Sequence, residues 1–246
     1  MIKKIEGIVV SEVDYKESSK IINVLTPEYG IIGFLARGTK KIKSNLSGVT
    51  SKLTYGYFHV NYHENGLSSL IEVDLIDRFN NIKKDINLIS YAVYLLELAD
   101  RVYRHDNNEN IYKMLIASLK KINEGYDYRV ICNIFELKML DFLGIRPVVD
   151  ECVVCGSKVD IVTISSYRGG YLCKNCCHGE VIVNIKTLKL LRMFYYVDIA
   201  KITKLDISDN IKKELSHFIY DYYDRYSGIN LKSREFLQNL ERIFVN

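Results

Sequence analysis

Four cysteines in the second half of the chain have the spacing of metal ligands. Cys152 and Cys155 form one Cys-x-x-Cys pair, Cys173 and Cys176 form a second, and 17 residues (156–172) separate the two pairs. Thiolates in one tight turn occupy two corners of a tetrahedron, and a hairpin brings the second pair over to complete it. The spacing predicts one structural Zn²⁺ per chain, because four protein ligands leave no open coordination position for catalysis.

The identity of the fourth ligand is open, because the second pair continues as Cys176-Cys177-His178. Cys176 is preferred, since two intervening residues set the usual turn, but Cys177 and His178 are alternatives. A redox-active Cys-x-x-Cys and thiols buried in a core are the alternatives to zinc. Cys132 lies in an apolar helical segment and is predicted to be a buried core thiol.

A basic segment provides the second candidate site. Arg37-Gly-Thr-Lys40-Lys41-Ile-Lys43 carries four positive charges and no acidic residue. A flexible basic loop suits contact with the phosphates of a nucleic-acid backbone, which Arg37, Lys40, Lys41 and Lys43 are expected to make. A merely solvated loop is the alternative. The net charge of +4 permits nucleic-acid binding without requiring it.

An aromatic strand is predicted to follow the basic segment. Its alternation predicts that Tyr55, Tyr57 and His59 face outward, where rings can stack on bases. The residues expected to face inward are Phe58, Val60 and Tyr62. The alternative is that tyrosine, present 19 times in this chain, is simply half-exposed here.

The first 80 residues have the pattern of a small closed barrel. Five apolar or alternating runs are predicted to be strands, and Asn65-Gly66 indicates a tight hairpin between the last two. The predicted strands cover residues 5–13, 20–26, 31–36, 53–63 and 68–76. A five-stranded OB barrel is expected, because closure removes exposed strand edges, and an SH3-like barrel is the alternative.

From residue 77 onward the apolar period becomes helical. The predicted helices cover residues 85–103, 110–122, 128–143, 186–197, 208–226 and 232–244, with stops at Gly144 and Gly228. The expected fold class is α+β. An N-terminal OB-fold domain (1–80) is followed by an all-α domain (81–246), into which a four-cysteine zinc knuckle (148–183) is inserted. The knuckle is interpreted as an insertion because the helices on either side are too few for separate cores.

Composition narrows the functional classes. The 246 residues are 48% hydrophobic and 26% charged, as in ordinary globular proteins. No apolar run is long enough to cross a bilayer and the start lacks a signal peptide, so a cytoplasmic protein with no membrane partner is expected. No P-loop, GxGxxG, GxSxG or HExxH motif occurs, so we expect no enzyme and no catalytic residue.

Eight short segments in a fixed order also carry a family resemblance. They are Glu6-Gly-Ile-Val-Val, Tyr15-Lys-Glu-Ser-Ser, Leu25-Thr-Pro-Glu-Tyr-Gly30, Ala36-Arg-Gly-Thr-Lys-Lys, Phe135-Glu-Leu-Lys-Met-Leu-Asp-Phe-Leu-Gly-Ile-Arg-Pro147, Cys152-Val-Val-Cys-Gly, Gly169-Gly-Tyr-Leu-Cys and Gly228-Ile-Asn-Leu-Lys-Ser-Arg-Glu-Phe-Leu237. This ordered set resembles the RecO family of bacterial DNA repair and recombination mediators, over nearly the whole chain. The added Cys177-His178 departs from the family pattern.

The resemblance implies an OB barrel and a helical domain with a zinc knuckle. It implies binding of single- and double-stranded DNA, annealing of complementary strands and cooperation with RecR at the nucleoid. It further implies help in loading recombinase onto strands coated by single-strand-binding protein, whose C-terminal tail the protein would contact. Some family members lack the cysteines, so zinc is not essential to that activity. The alternatives are a thiol oxidoreductase and a zinc-ribbon OB factor of transcription or translation.

Overall fold

The computed structural model describes residues 1–41, 43–64 and 66–237, and its N-terminal part is a closed barrel of five strands. The strands are β1 (Ile2–Tyr15), β2 (Ser19–Thr26), β3 (Gly30–Ala36), β4 (Tyr55–Asn61) and β5 (Ser68–Asp77). Their order around the barrel is β1-β2-β3-β5-β4, and β4 pairs with β1 to close it. The β3–β5 pair is parallel and the other pairs are antiparallel. The predicted OB barrel is confirmed.

The barrel interior is filled by apolar side chains from all five strands, which alternate with outward-facing residues. The buried set is Ile5, Val9, Ile22, Val24, Phe34, Ala36, Phe58, Val60 and Leu70. The rings of Phe34 and Phe58 lie 5.9 Å apart between centroids and fill the middle of the core. Removal of this apolar surface from water is the main stabilising contribution to the barrel.

Two glycines face each other where β1 and β4 pair, Gly7 opposite Gly56. A Cβ at Gly7 would lie 2.4 Å from a side-chain carbon of Val24, and one at Gly56 would lie 2.4 Å from the carbonyl oxygen of Asp74. Only glycine permits this close approach, which lets the strands bend into a small barrel.

The connection between β4 and β5 differs from the predicted tight hairpin. Asn61 pairs with Ser69, so seven residues separate the paired positions. Asn65 itself lies outside the described residues. The prediction was wrong because the ladder with β4 begins only at Ser69, whereas Ser68 pairs with Phe34 of β3.

The rest of the described chain contains helices and one small hairpin, joined by loops and short 3-10 turns. In order they are α1 (Ile86–His105), α2 (Glu109–Asn123), α3 (Tyr128–Phe142), β6 (Ile161–Ser165), β7 (Gly170–Cys173), α4 (Ile185–Tyr196) and α5 (Asp209–Tyr226). Residues 232–237 are helical, and the rest of the predicted helix 232–244 lies outside the described residues. The predicted helices therefore all begin within a residue or two of their expected positions.

Polar caps explain where α1, α2, α3 and α4 start. The side chains of Asp85, Asn108, Asp127 and Asn184 accept backbone N–H groups at the starts of α1, α2, α3 and α4. Gly144 and Gly228 follow the ends of α3 and α5 with φ of 69° and 61°, as their predicted role requires.

The chain forms two compact units. One comprises Met1–Glu124 with the described residues from Leu231 onward, and the other comprises Gly125–Asn230. Helices α1 and α2 thus group with the barrel, whereas α3, α4, α5 and the β6–β7 hairpin form the second unit. This division by compactness does not follow the predicted domains 1–80 and 81–246, which stay a prediction.

Within the first unit α1 packs on α2 and β1, and within the second α3 packs on α4 and α5. No helix in the described ranges has the length and apolar character needed to cross a membrane.

Candidate metal centre and nucleic-acid interface

The four cysteines predicted to bind metal come together at the base of the β6–β7 hairpin. The Sγ atoms of Cys152, Cys155, Cys173 and Cys176 all lie within 4.8 Å of one another. In a zinc tetrahedron with bonds of about 2.3 Å the sulfurs lie about 3.8 Å apart. The donor set and its spacing therefore fit a tetrahedral Zn²⁺ site closed to further ligands.

Two tight turns and a hairpin assemble the cluster. The N–H of Gly156 donates to the carbonyl of Cys152 at 2.8 Å, and the N–H of Cys176 donates to the carbonyl of Cys173 at 3.0 Å. Gly156 has a φ of 72°, which favours glycine at this bend. Because Cys173 is the last residue of β7, the hairpin carries the second pair over the first.

The pKa values of the clustered thiols indicate that a bound cation would be needed to ionise all four. Burial opposes ionisation of Cys152, but backbone hydrogen bonds from Cys173, Cys155 and Val154 outweigh it and lower the pKa of its thiol to about 6. The hydrogen bond with Cys155, and burial, raise the pKa of Cys176 to about 12. Four sulfurs in contact cannot all ionise alone, whereas a bound dication deprotonates its coordinating thiols.

Neither Cys177 nor His178 belongs to the group of described residues whose ligand atoms come together. The Sγ of Cys177 donates to the carbonyl of Glu180 at 3.6 Å, and the backbone N–H of His178 donates to the carboxylate of the same residue at 2.8 Å. This arrangement favours Cys176 as the fourth ligand. Cys132 is only 3% exposed, as predicted for a core thiol.

A very small core surrounds the cluster. It consists of Cys152, Leu172 and Cys173 as buried members, with a few half-buried neighbours. So little apolar surface stabilises a fold poorly, and such modules usually depend on bound metal. The residues fit a structural zinc ion, which would hold the hairpin of the second unit in shape.

The predicted basic segment forms an exposed turn after β3, and we call Arg37, Lys40, Lys41 and Lys43 the basic loop. All four side chains are exposed. The loop is tied to the β1–β2 connection, because the N–H of Lys40 donates to the carbonyl of Ser18 at 3.3 Å. Exposed cations on an anchored loop are chemically suited to phosphate contact, and that contact stays a prediction.

Lys40 of the basic loop forms an ion pair that could not be predicted from the sequence of the loop alone. The Nζ of Lys40 donates to the carboxylate of Asp14 at 2.8 Å. This hydrogen bond holds the pKa of Asp14 below its ordinary value. Asp14 is far away in sequence and reaches the loop only through the β1–β2 hairpin, so the local charge pattern gave no sign of it.

The prediction that Tyr55 faces solvent is wrong. Tyr55 is 5% exposed, and its hydroxyl donates to the carboxylate of Glu6 at 2.8 Å, beside the hydroxyl of Tyr112, which donates at 2.9 Å. Its ring stacks on Phe79 at 6.1 Å. Strand alternation does turn Tyr55 out of the barrel, but α2 covers that face and removes the ring from contact with bases.

Tyr57 and His59 do reach the surface, where both are engaged. The imidazole of His59 lies 2.8 Å from the carboxylate of Asp74, which also accepts from Lys4 at 3.4 Å. The ammonium of Lys4 lies 4.5 Å from the ring centroid of Tyr57. Of the residues expected to face inward, Phe58 and Val60 are fully buried and Tyr62 is half-buried.

The fold and the cysteine site together define an OB-barrel protein with a metal knuckle, and OB barrels commonly bind oligonucleotides or oligosaccharides. The family model "Recombination protein O N terminal" matches residues 1–79, and "Recombination protein O C terminal" matches residues 83–235. The chain belongs to the RecO family of DNA repair proteins, as the resemblance implied.

Relatives in several bacteria match nearly the whole chain. DNA repair protein RecO of Listeria monocytogenes serotype 4b is 37% identical over 244 residues, which cover 98% of this chain and 95% of the relative. The protein of the same name from Halalkalibacterium halodurans is 38% identical over 245 residues, with 98% and 96% coverage. That from Bacillus pumilus is 36% identical over 245 residues, with 98% and 95% coverage.

Proposed function

We propose that this chain binds single- and double-stranded DNA and anneals complementary strands as a recombination mediator, without bond chemistry of its own. The observation that carries the proposal is the match to DNA repair proteins over nearly the whole chain. The exposed basic loop on an OB barrel supports it, because such barrels commonly bind single strands in a positively charged groove.

Annealing requires two negatively charged strands to come close. The exposed side chains of Arg37, Lys41 and Lys43 have no ion-pair partner among the described residues, so their charges are available to neutralise phosphates. Neutralised phosphates release condensed counterions, which makes binding favourable at low salt and weaker at high salt. In this mechanism the protein lowers the repulsion between strands, and base pairing then drives the reaction.

The family also suggests the partners. We propose that the chain works with RecR, contacts the C-terminal tail of single-strand-binding protein and helps to load recombinase onto strands coated by that protein. A protein with these partners acts in the cytoplasm, at the nucleoid. The zinc ion has a structural role in the second unit and takes no part in a reaction.

The direct test is the affinity of the purified protein for labelled single- and double-stranded oligonucleotides, measured by fluorescence anisotropy at several salt concentrations. We expect binding to both, with log K falling linearly as log salt rises. Absence of binding to either DNA at low salt would overturn the proposal.

A further inference from the structure

The tip of the β6–β7 hairpin presents an exposed tyrosine beside two arginines. Tyr167 is 65% exposed. The guanidinium carbons of Arg168 and Arg225 lie 5.7 Å and 5.2 Å from the centroid of its ring. Arg168 follows Tyr167 in the hairpin turn, whereas Arg225 comes from the last turn of α5. We call these three residues the arginine–tyrosine tip.

Hydrogen bonds hold the backbone of the tip in place. The hydroxyl of Tyr226 donates to the carbonyl of Tyr167 at 2.9 Å, so α5 is fastened to the turn. Ser165 accepts two backbone hydrogen bonds from the turn. Its hydroxyl accepts the N–H of Arg168 at 3.2 Å, and its carbonyl accepts the N–H of Gly169 at 3.0 Å. Because the backbone of the turn is held in this way, little of its conformational entropy is lost when a ligand binds.

In the described part of the chain, the positive charges of Arg168 and Arg225 are not paired with a carboxylate. Within the part of the chain that the structure describes, neither Arg168 nor Arg225 forms a salt bridge, and both side chains are exposed. The backbone N–H of His178 donates to the carboxylate of Glu180 and is the largest cause that holds the pKa of Glu180 below its ordinary value. The positive charge of Arg168 has the same effect but is a smaller cause. Lys40 of the basic loop, by contrast, is paired with Asp14.

We infer that the arginine–tyrosine tip is a contact site for single-stranded nucleic acid. A base stacks on the ring of Tyr167, and Arg168 and Arg225 contact the adjacent phosphates. Exposed aromatic rings combined with unpaired arginines are the usual means of holding single strands without sequence preference. An acidic peptide would engage the charges alone, whereas a single strand offers a base to the exposed ring as well as phosphates to the arginines, so DNA fits the whole site better.

This inference rests on the proposed function and deepens it, because it adds a DNA contact in the unit Gly125–Asn230, separate from the basic loop. Single-stranded DNA that contacts both sites would be held at two places on one protein. Two contacts also predict that loss of either site alone weakens binding without abolishing it.

The test uses three variants of the full chain. Tyr167→Leu removes the ring, Arg168→Gln/Arg225→Gln removes both charges, and Lys213→Gln is the matched control, because Lys213 is an exposed cation on α5 away from the tip. Affinity for an oligo(dT) strand is measured by anisotropy at several salt concentrations, with circular dichroism and zinc content to verify folding. A second strand, in which abasic sites replace the thymidines, reports stacking.

We expect Tyr167→Leu to weaken oligo(dT) binding about fivefold or more and to leave binding of the abasic strand almost unchanged. The double variant should weaken binding of both strands and lower the salt slope by about 1.4 units, since each phosphate contact to a single strand contributes about 0.7. Lys213→Gln should lower the slope by no more than about 0.3 units, less than half of one contact.

Wild-type affinities and slopes in all tip variants would overturn the inference while leaving the proposed function intact. Unchanged DNA binding combined with weakened binding of a polyglutamate peptide would likewise overturn it, and would assign the tip to an acidic protein partner. Failure of the wild-type protein itself to bind oligo(dT) would instead contradict the proposed function.

Discussion

The Sγ atoms of Cys155 and Cys173 lie 3.6 Å apart, although 17 residues separate them in sequence. That distance is far longer than the roughly 2.05 Å of a disulfide bond and close to the sulfur–sulfur edge of a zinc tetrahedron, about 3.8 Å. The spacing of these thiols therefore fits ligation of a tetrahedral metal ion.

We predict one Zn²⁺ per chain in protein purified without chelators, measured by elemental analysis. Removal of the metal, or Cys152→Ser, should lower the melting temperature, because binding free energy contributes to folding in a module with so small a core. Metal-free protein with disulfides between these cysteines would contradict the prediction and favour the thiol oxidoreductase alternative.

We predict that Cys177→Ser keeps the zinc whereas Cys176→Ser loses it. The Sγ of Cys177 donates to the carbonyl of Glu180, outside the cluster that contains Cys176. Zinc stoichiometry of the two variants, purified in parallel, is the measurement, and each serves as the control for the other. The reverse outcome would make Cys177 the ligand, and zinc retained by both variants would point to His178 or to mixed ligation.

The basic loop should contribute to DNA binding. Lys40→Ala/Lys41→Ala is expected to weaken binding of single-stranded DNA and to lower the salt slope by about 0.7 to 1 unit for each lysine–phosphate interaction that the variant removes. Since these interactions carry no sequence information, the weakening should be similar for every DNA sequence tested. Stability should be almost unchanged, because both side chains are exposed.

The ion pair between Lys40 and Asp14 offers a control variant that should change DNA affinity in the opposite direction. Asp14→Asn removes the carboxylate that Lys40 contacts at 2.8 Å, so it should strengthen DNA binding. Wild-type affinity and slope in both the loop variant and Asp14→Asn would mean that the loop is only solvated.

A partly buried ion pair should make the second unit sensitive to acid. Burial opposes ionisation of Asp127, but hydrogen bonds from Lys212, at 2.6 Å, and from the amides of Val130 and Arg129 outweigh it and hold its pKa below the ordinary value. A lowered folded-state pKa means stability that is present above the unfolded-state pKa of about 3.9 and lost as pH falls through the folded value.

Asp127→Asn should therefore destabilise the protein at pH 7 and by less and less below about pH 4. Urea unfolding across this pH range is the measurement. Lys113→Gln, which breaks an exposed pair with Glu109, is the control and should cost no more than about 0.5 kcal/mol. A difference between wild type and Asp127→Asn that does not depend on pH would contradict the ionic explanation.

Local patterns were enough to predict the barrel, the helices and the cysteine cluster. Strand alternation, the caps at Asp85 and Asp127 and the stop at Gly144 are all determined by residues a few positions apart. The Cys-x-x-Cys pairs are local turns as well, and the single hairpin of β6 and β7 joins them.

Contacts between distant segments were not predictable in this way. The alternation of residues along β4 correctly predicted that Tyr55 faces out of the barrel. No local pattern indicates that α2 covers this side chain or that Glu6 accepts its hydroxyl hydrogen. The same holds for Asp14 beside Lys40, and for Arg225, which reaches Tyr167 from α5. Such contacts depend on tertiary packing, which strand and helix periods do not encode.

The most direct test of the proposed annealing function uses two complementary oligonucleotides, each coated with single-strand-binding protein. Their annealing is monitored by fluorescence quenching, with and without the purified chain. We predict that the chain accelerates annealing, and that acceleration weakens with rising salt and in Lys40→Ala/Lys41→Ala. Annealing at the same rate with and without the protein, under low-salt conditions in which both strands are bound, would contradict the account.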